Sequence, residues 1–215
     1  KSEYSIDQQR VPFDLRDEAK GGLADWYAKR FSVAFFNQVC GYSIQTDVRY
    51  TGLNASMAAS STRIIRQSGR ATDDLLVAGD EFTIDLIDKA KELAITATPK
   101  IRPATFAGGG TMGMGGRRDF NRTLTDKYVM YMHAYQVTDM RKNTSSGQWL
   151  DLTKAAYMGS AANFPVYSGA IGEYNSVILR QSFDVTTGVS ATSTDAPNAR
   201  RAVLLGGQAA MMAFG

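Results

Sequence analysis

The sequence contains few of the side chains on which catalytic and metal sites usually depend. Among its 215 residues there is one cysteine and one histidine. The single Cys40 excludes a disulfide within the chain, and it is compatible with a reducing compartment. The single His133 excludes metal sites built from several histidines and pairs of catalytic histidines. These two absences remove the commonest routes to hydrolytic and redox chemistry.

Long apolar runs and a strong charge imbalance are lacking as well. The most apolar late segment, Ala202 to Phe214, is interrupted by two glycines and a glutamine, whereas a membrane span needs about 20 residues. We therefore expect no membrane partner. The formal net charge of +3 is too small to indicate nucleic acid binding through field strength alone. With 44% hydrophobic and 21% charged residues, the composition is that of a folded globular protein.

The strongest predicted element is a helix from Asp14 to Cys40. Asp14 can cap its first turn, and Gly41 ends it. Apolar residues recur at intervals of three and four, which predicts one helical stripe: Leu23, Trp26, Tyr27, Phe31, Ala34, Phe35 and Val39. The residues that widen this stripe are Val33, Phe36 and Cys40. We therefore expect the helix to be covered on two sides. The pair Gly21–Gly22 predicts a bend or a close backbone approach.

The remainder of the sequence predicts a mixture of helices, strands and loops. Residues 41–79 are mostly loop-like, and residues 186–200 predict a polar loop. The other predicted elements are a helix capped by Thr83 and ending at Thr96, an edge strand Lys100–Phe106 interrupted by Pro103, a strand Tyr128–Ala134, a helix Gln136–Arg141, and strands Val177–Phe183 and Ala202–Leu205. The pattern favours an α+β fold.

Residues 108–113 satisfy the G-x-G-x-x-G pattern of dinucleotide-binding loops. Such a loop must lie between a strand and a helix, because the helix N-terminus faces the pyrophosphate. The residues that follow, MGGRRDFNR, cannot begin a helix, and no Lys-Ser or Lys-Thr completes a P-loop. We therefore predict a flexible hairpin tip within the Gly-rich loop 107–118, because glycine clusters mark turns far more often than phosphate sites.

His133 and Cys40 are weak candidates for catalysis. A Ser-His-Asp arrangement is formally open to His133, but no G-x-S-x-G motif accompanies it. His133 also falls within a predicted alternating strand, where a packed or hydrogen-bonded imidazole is expected. Cys40 closes an apolar helix, which favours core packing over a role as nucleophile.

Acidic residues cluster on one side of the second helix. Asp85, Asp88 and Glu92 share this side, and Asp85 is spaced for a surface ion pair with Lys89. A solvated face is favoured over a metal or acid/base site. We therefore expect no metal site here.

A basic loop provides the alternative function. Arg117, Arg118 and Arg122 surround Phe120 and could contact phosphates, as in a nucleic-acid-binding module. Acidic residues are interleaved at Asp119 and Asp126, which favours salt bridges between subunits. Taken with the preceding motifs, the sequence predicts no catalytic residue, no cofactor-binding residue and no metal ligand, and hence a protein that is not an enzyme.

Several long motifs carry a resemblance to a known family. They are DLRDEAKGGLADW in the first helix, FTIDLIDKAKELA before ATPKIRP, QVTDMR followed by GQWLD, and PVYSGAIGEYNSVILRQS before RRAVLLGGQAAMMAFG. Together they cover most of the chain. On these motifs the chain resembles the major capsid proteins of N4-like tailed bacteriophages, which share the fold of other tailed-phage shell proteins.

The resemblance implies a domain organisation. Residues 14–40 would form the long spine helix, residues 1–79 part of the peripheral domain, and residues 80–215 a mixed α/β axial domain. Family members also have an N-terminal arm and an extended β-hairpin before the spine helix, and further strands after the axial domain. The resemblance therefore implies that this chain is part of a shell subunit.

The resemblance also implies partners and a location. Copies of the chain would form hexamers and pentamers of a closed icosahedral shell that encloses double-stranded DNA without sequence specificity. Scaffolding and portal proteins would be further partners. The expected location is the virion capsid, assembled in the cytoplasm of the bacterial host, and no cofactor is implied.

Overall fold

The computed structural model describes residues 15–105, 126–159 and 171–213. The helices are α1 (Leu15–Val39), α2 (Val48–Thr51), α3 (Ile84–Thr96), α4 (Ala134–Lys142) and α5 (Trp149–Gly159). The strands are β1 (Ala104–Thr105), β2 (Asp126–Met132), β3 (Gly172–Tyr174), β4 (Val177–Gln181), β5 (Thr187–Val189), β6 (Asp195–Arg200) and β7 (Val203–Leu205). Single turns of 3-10 helix lie at Ser61–Arg63, Gln67–Gly69 and Asp73–Leu75.

Strand β2 is the centre of a five-stranded mixed sheet. It pairs in parallel with β4 on one edge, and on its other edge it pairs antiparallel with β1 and then β7. A parallel pair needs a long crossover, and α4 and α5 lie within it. Strand β3 pairs antiparallel with β4 at the outer edge. The two residues that join them, Asn175 and Ser176, have φ of 46° and 61°, the backbone of a type I′ hairpin turn.

Alternation along β2 assigns its side chains to two faces of the sheet. Tyr128, Met130 and Met132 are buried on the face that packs against α3 and α4. The other members of this main core include Ile84, Ile87, Ala94, Val137, Met140, Val177 and Leu179. Burial of aliphatic side chains at this level stabilises a domain by about 1.5–3 kcal/mol for each large residue. This core holds the body of the molecule together.

The opposite face of the sheet is covered by the end of α1. Phe36 and Cys40 form a second buried cluster with Val185, and Tyr131 of β2 packs against it. The rings of Phe36 and Tyr131 meet edge to face with centroids 5.5 Å apart. Helix α1 therefore belongs to the body through its last turns.

Most of the predicted elements and the α+β fold are confirmed. Helix α1 differs from the prediction by one residue at each end, and α3, α4, β4 and β7 fall within their predicted segments or within two residues of them. The predicted strand at 128–134 ends at Met132. The sequence predicted a bend or a close backbone approach at Gly21–Gly22. A close approach is wrong for the described residues, because no atom lies within 4 Å of a Cβ built there, while the bend stays a prediction.

Residues 186–200 were expected to form a polar loop, and this prediction is wrong. They form the hairpin of β5 and β6, closed by hydrogen bonds between Ser190 and Thr194. The strands are short and polar, so they lack the apolar alternation that predicts a strand. A tertiary contact holds the hairpin instead, since the Val189 N–H donates to a carboxylate oxygen of Asp73 at 2.9 Å.

The start of α3 is capped by a distant residue. Thr83 occupies the N-cap position, but its side chain makes no capping hydrogen bond. The Ile84 N–H donates instead to the side-chain oxygen of Gln148 at 3.2 Å. Gln148 precedes α5, a helix that the sequence patterns did not indicate. The expected capping role of Thr83 is therefore wrong, and Gln148 connects the first turn of α3 to the start of α5.

Candidate functional site

The first part of α1 presents an exposed apolar surface. Every residue from Arg16 to Lys29 is exposed. Large apolar side chains lie along this part of the helix and just after it, with exposed fractions of 53% for Leu23, 50% for Trp26, 44% for Tyr27 and 37% for Phe31. We call these four residues the aromatic face. Contiguous exposed apolar surface on a folded protein commonly marks an interaction site.

The aromatic face has an ordered geometry. The rings of Trp26 and Tyr27 meet edge to face at 5.0 Å, and those of Tyr27 and Phe31 stack at 6.0 Å. The guanidinium carbon of Arg30 lies 5.2 Å from the Trp26 ring centroid. Rigid aromatic side chains with a neighbouring arginine lose little conformational entropy when a partner covers them, and such residues dominate interface energetics.

The described residues cover only one side of α1. Its buried residues are Phe36, Asn37 and Cys40, of which Phe36 and Cys40 were expected merely to widen the apolar stripe. The stripe residues Trp26 and Tyr27 face outward. The expectation of a wide apolar helix is therefore confirmed, whereas cover on the second side stays a prediction.

The second part of α1 is fixed to the body by polar contacts as well as by its core residues. Asp184 accepts hydrogen bonds from Lys29 and, at 2.6 Å, from the Ser32 hydroxyl. Asn37 and Gln38 donate side-chain N–H groups to the backbone carbonyls of Tyr50 and Thr51 at 2.9 and 2.7 Å. These contacts begin at the residue where the exposed part of the helix ends.

A cluster of charges secures the C-terminal end of α1. Asp73, only 7% exposed, accepts hydrogen bonds from Arg66 at 2.6 Å and from Arg201 at 2.9 Å. Arg201 also donates to the carbonyl oxygens of Cys40 at 2.8 Å and Gly41 at 3.2 Å. These are helix-end carbonyls, which favour a nearby cation. We call Arg66, Asp73 and Arg201 the Asp73 joint.

The charge state of Asp73 follows from this environment. Burial raises the pKa of its carboxyl group, but hydrogen bonds from the Val189 N–H, Arg66 and Arg201 outweigh burial. The pKa of Asp73 therefore lies below its ordinary value of 3.8. The joint is held by an ionised carboxylate at neutral pH.

Cys40 has the structural role that the sequence predicted. It is buried among Phe36 and Val185 at the end of α1. Burial raises the pKa of its thiol above the ordinary value of 9.0, although hydrogen bonds with Thr186 oppose this shift. A buried thiol that stays protonated is a poor nucleophile.

The structure places His133 at the start of a helix, so its assignment to a strand is wrong. The His133 Nδ1 accepts a hydrogen bond from the Tyr135 N–H at 3.3 Å, while Gln136 accepts one from the His133 N–H at 2.9 Å. Together these bonds form a capping box for α4. Burial, and then the charge of Arg200, lower the pKa of His133 below its ordinary value of 6.5. His133 is therefore a neutral capping residue.

The acidic side of α3 is part of a structural contact. Asp88 accepts hydrogen bonds from the Tyr174 hydroxyl at 2.8 Å and from the Asn175 side chain at 2.9 Å. Burial, and then the bond to Asp88, raise the pKa of Tyr174 to about 12. Asp85 and Lys89 are not among the ion pairs of the described residues, so the expected pair is wrong. Asp88 anchors the β3–β4 turn to α3.

No metal site is found in the described parts of the chain, where no three His, Cys, Asp or Glu residues are grouped for one. Within the same ranges no helix is long and apolar enough to cross a membrane. The Gly-rich loop 107–118 and the basic residues Arg117, Arg118 and Arg122 lie outside the described residues. The predicted hairpin tip and the nucleic-acid-binding alternative therefore stay predictions.

The chain is similar in structure to two solved phage capsids. The capsid of Ralstonia phage GP4 is similar with a TM-score of 0.58 and 19% identity, over 83% of this chain and 48% of that one. The capsid asymmetric unit of cyanophage Pam1 is similar with a TM-score of 0.52 and 18% identity, over 85% of this chain and 49% of that one. At this identity the similarity establishes a capsid fold.

The sequence identifies the family. It matches the pattern of the phage capsid proteins over residues 2–215, and the chain belongs to that family. The resemblance to phage capsid proteins is thereby confirmed, while the narrower N4-like assignment stays a prediction. No curated protein matches the sequence. The chain spans about half the length of the solved capsid proteins that it matches.

Proposed function

We propose that this chain is a structural subunit of the shell of a tailed bacteriophage. Copies assemble as hexamers and pentamers into a closed icosahedral shell around double-stranded DNA. The observation that carries the proposal is a family match over nearly the whole chain, joined to a long helix with an exposed aromatic face. An exposed apolar surface of this kind commonly marks an interaction site, and a shell subunit can bury it during assembly.

Assembly explains the physical character of the molecule. Each subunit contacts several neighbours at once, so modest individual interfaces combine into a stable shell. The formal net charge of +3 suits close assembly, because strong like charge would oppose it. Trp26 and Tyr27 are of the residue types that contribute most to interface energies. We place them at or near the covered side of the spine helix.

The remaining assignments are parts of the same proposal. Residues 1–79 contribute the spine helix and part of a peripheral domain, and residues 80–215 form the axial domain. The location of the seven strands of the described residues, all after residue 80, supports this division. Scaffolding and portal proteins are further partners. The location is the virion capsid, after assembly in the host cytoplasm.

A role without catalysis is also proposed, and no cofactor is needed for it. Support comes from the family and from the two side chains best suited to chemistry. Cys40 is buried in a core cluster, and His133 caps a helix. Both side chains have structural partners that account for their positions.

Assembly of a Trp26→Asp variant tests the proposal. The full-length protein is produced with its scaffolding protein, and particles are counted by sedimentation and electron microscopy. A charge in the aromatic face should reduce particle yield by about tenfold or more, because a buried unpaired carboxylate costs several kcal/mol per contact. Ile95→Asp is the matched control, since Ile95 is a helical apolar residue with a similar exposure of 45%.

Two results would contradict the proposal. The first is a natural full-length protein that stays monomeric with its scaffolding protein and is missing from purified phage particles. The second is an unchanged particle yield for Trp26→Asp, which would remove the aromatic face from the assembly contacts. An equal loss for Ile95→Asp would show that the aromatic face has no special role.

A further inference from the structure

We propose that the Asp73 joint fixes the direction in which α1 leaves the body of the subunit. This inference concerns contacts within one chain, so it stands independently of the proposed assembly. Asp73 and Arg201 act as positioning residues: they hold the end of the helix against the body, and the exposed part of α1 follows that direction. The polar contacts at the two ends of the packed part of α1 support it.

The joint connects segments that are far apart in the sequence. Asp73 lies in a 3-10 turn, while its partners Arg201 and Val189 belong to the hairpin of β5 and β6 or follow it directly. Arg201 then reaches the carbonyls of Cys40 and Gly41, which lie just past the end of α1. One carboxylate and one guanidinium therefore connect the helix, the loop 61–75 and the hairpin. Charge-assisted hydrogen bonds of this kind have a well-defined geometry.

Close backbone contacts surround the joint and give it little freedom. A Cβ at Gly188 would lie 2.7 Å from the Asp73 Cβ and 2.8 Å from the Ala199 Cβ. Gly41 has a φ of 64°, and a Cβ there would lie 2.7 Å from the carbonyl oxygen of Met57. Both sites require glycine for steric reasons. Helix end, loop and hairpin are therefore packed tightly around the charges.

Helix α1 is attached to the body at a second point, so movement at the joint can rotate the helix about that point. Asp184 holds the helix at Lys29 and Ser32, one-third of the helix length before the joint. At about 1.5 Å per residue, Ser32 is about 12 Å from Cys40 and about 20 Å from Ala19. A displacement at the joint that pivots at Asp184 is therefore amplified about 1.6 times at Ala19. The aromatic face lies nearer the pivot, so Leu23 moves about as far as the joint and Phe31 hardly moves.

A neighbouring cluster offers a matched control. The side chain of Asp80 is 5% exposed and pairs with Arg70 at 2.9 Å. Its other partners are the Ser68 hydroxyl and the Val77 N–H. All of these partners lie within residues 68–80. The Asp80 side chain therefore resembles that of Asp73 in burial and charge, but none of its hydrogen-bond or ion-pair partners belongs to α1. Loss of Asp80 should affect the loop alone.

Distance measurements between two spin labels test the proposal. Labels are placed on α1 at Ala19→Cys and on the body at Lys89→Cys in the full-length protein, which is diluted with unlabelled protein so that only distances within a chain are seen. Cys40 is kept, because it is 6% exposed, and mass spectrometry checks that it is not labelled. The background protein should show one narrow distance distribution.

The variants are Asp73→Asn and the milder Arg201→Lys, which keeps the charge but loses the planar fork that reaches both carboxylate and carbonyls. Each should broaden the distribution roughly twofold or shift its mean by several Å, with unchanged far-ultraviolet circular dichroism. Asp80→Asn should leave the distribution unchanged.

A folded Asp73→Asn or Arg201→Lys protein with the natural distance distribution would overturn the proposal. So would broadening by Asp80→Asn to the same extent, since the effect would then reflect any loss of a buried charge. If both joint variants failed to fold, the cluster would be a general stabilising element, and the proposal would again be rejected. Loss of assembly with unchanged distances would count against the joint without affecting the proposed shell function.

Discussion

The two parts of helix α1 differ in how far the rest of the described chain covers them. From Arg16 to Lys29 every side chain is exposed, including the aromatic rings. From Ser32 onward the helix packs on the sheet through Phe36 and Cys40 and is fixed by Asp184 and Arg201. Apolar residues occur in both parts, six of the 14 residues from 16 to 29 and six of the nine from 32 to 40. Apolar periodicity therefore identifies the helix, but it does not show which side its own chain covers.

The difference between its two parts suits α1 to folding and, under the proposed function, to assembly. The packed part stabilises the single subunit, because its aromatic ring is removed from water by residues of the same chain. The exposed part contributes little to that stability and retains apolar area for a partner. Under the proposed function, such a subunit would fold first and bury the aromatic face during assembly.

The largest expected difference in the free energy of unfolding is between variants of two aromatic residues on the same helix. Phe36→Ala should lower the free energy of unfolding by about 3–5 kcal/mol, because Phe36 is 4% exposed and packs on Tyr131. Trp26→Ala should change it by about 0.5 kcal/mol or less, as for other exposed sites. Urea unfolding of the unassembled full-length protein measures both. A loss at Trp26 equal to that at Phe36 would break the comparison, since it would mean that the chain covers its own aromatic face.

A smaller loss of stability is expected where the chain is closely packed around the Asp73 joint. Gly188→Ala should destabilise the protein by about 1–3 kcal/mol, because the new methyl group would overlap the Cβ atoms of Asp73 and Ala199. Hydrogen exchange should increase at the end of α1 and in the hairpin, while the main core stays protected. Gly22→Ala is a comparison site, because Gly22 lies in α1 and a Cβ there has no neighbour within 4 Å. A loss at Gly188 no larger than that at Gly22 would contradict close packing at the joint.

Acid should weaken the packed part through Asp73. Because its pKa is lower in the folded protein than the ordinary 3.8, the unfolded state binds more protons at low pH. The stabilisation is complete above 3.8 and is lost as the pH falls through the folded pKa. Asp73→Asn should therefore be less stable at neutral pH, and its stability should fall less steeply in acid. Urea unfolding from about pH 7 to about pH 3 measures this, and parallel curves for both proteins would contradict it.

The smallest expected effect concerns His133, far from the aromatic face. Removal of the cap in His133→Ala should cost about 1 kcal/mol, whereas His133→Asn should preserve the cap. Because the pKa of His133 is lowered in the folded state, its stabilisation is present above 6.5 and declines as the pH falls below that value. Nuclear magnetic resonance titration of this single histidine should give a pKa below 6.5. A pKa above 6.5 would contradict a neutral capping imidazole.

Elements with strong local patterns could be predicted from the sequence. Helix α1 and strand β2 have clear periodicity, and Pro99 and Gly41 mark where helices stop. The hairpin of β5 and β6 could not be predicted, because its stability depends on Asp73, more than a hundred residues earlier. His133 was wrongly assigned to a strand because it directly follows an alternating run. The strand ends before it, and the hydrogen bond from the His133 N–H to the Gln136 side chain begins the next helix.

The candidate site was predictable in part. The aromatic stripe was visible as a sequence pattern, and Cys40 was expected in the core. The roles of Asp73 and Arg201 had no local sequence signal. Their hydrogen bond forms only because the fold brings together two residues that are far apart in the sequence. The sequence also could not show that Phe36 and Cys40 face the sheet while Trp26 and Tyr27 face outward.

Hydroxyl-radical footprinting of purified phage particles tests the central claim most directly. Oxidation of Trp26 and Tyr27 is compared with that of Tyr135, an aromatic residue on α4 that is 65% exposed in the single chain. If the aromatic face is buried in the shell, Trp26 and Tyr27 should be oxidised about tenfold more slowly than free aromatic side chains, at rates close to that of buried Tyr128. Oxidation of Trp26 in intact particles at the rate of a fully exposed tryptophan would contradict the account.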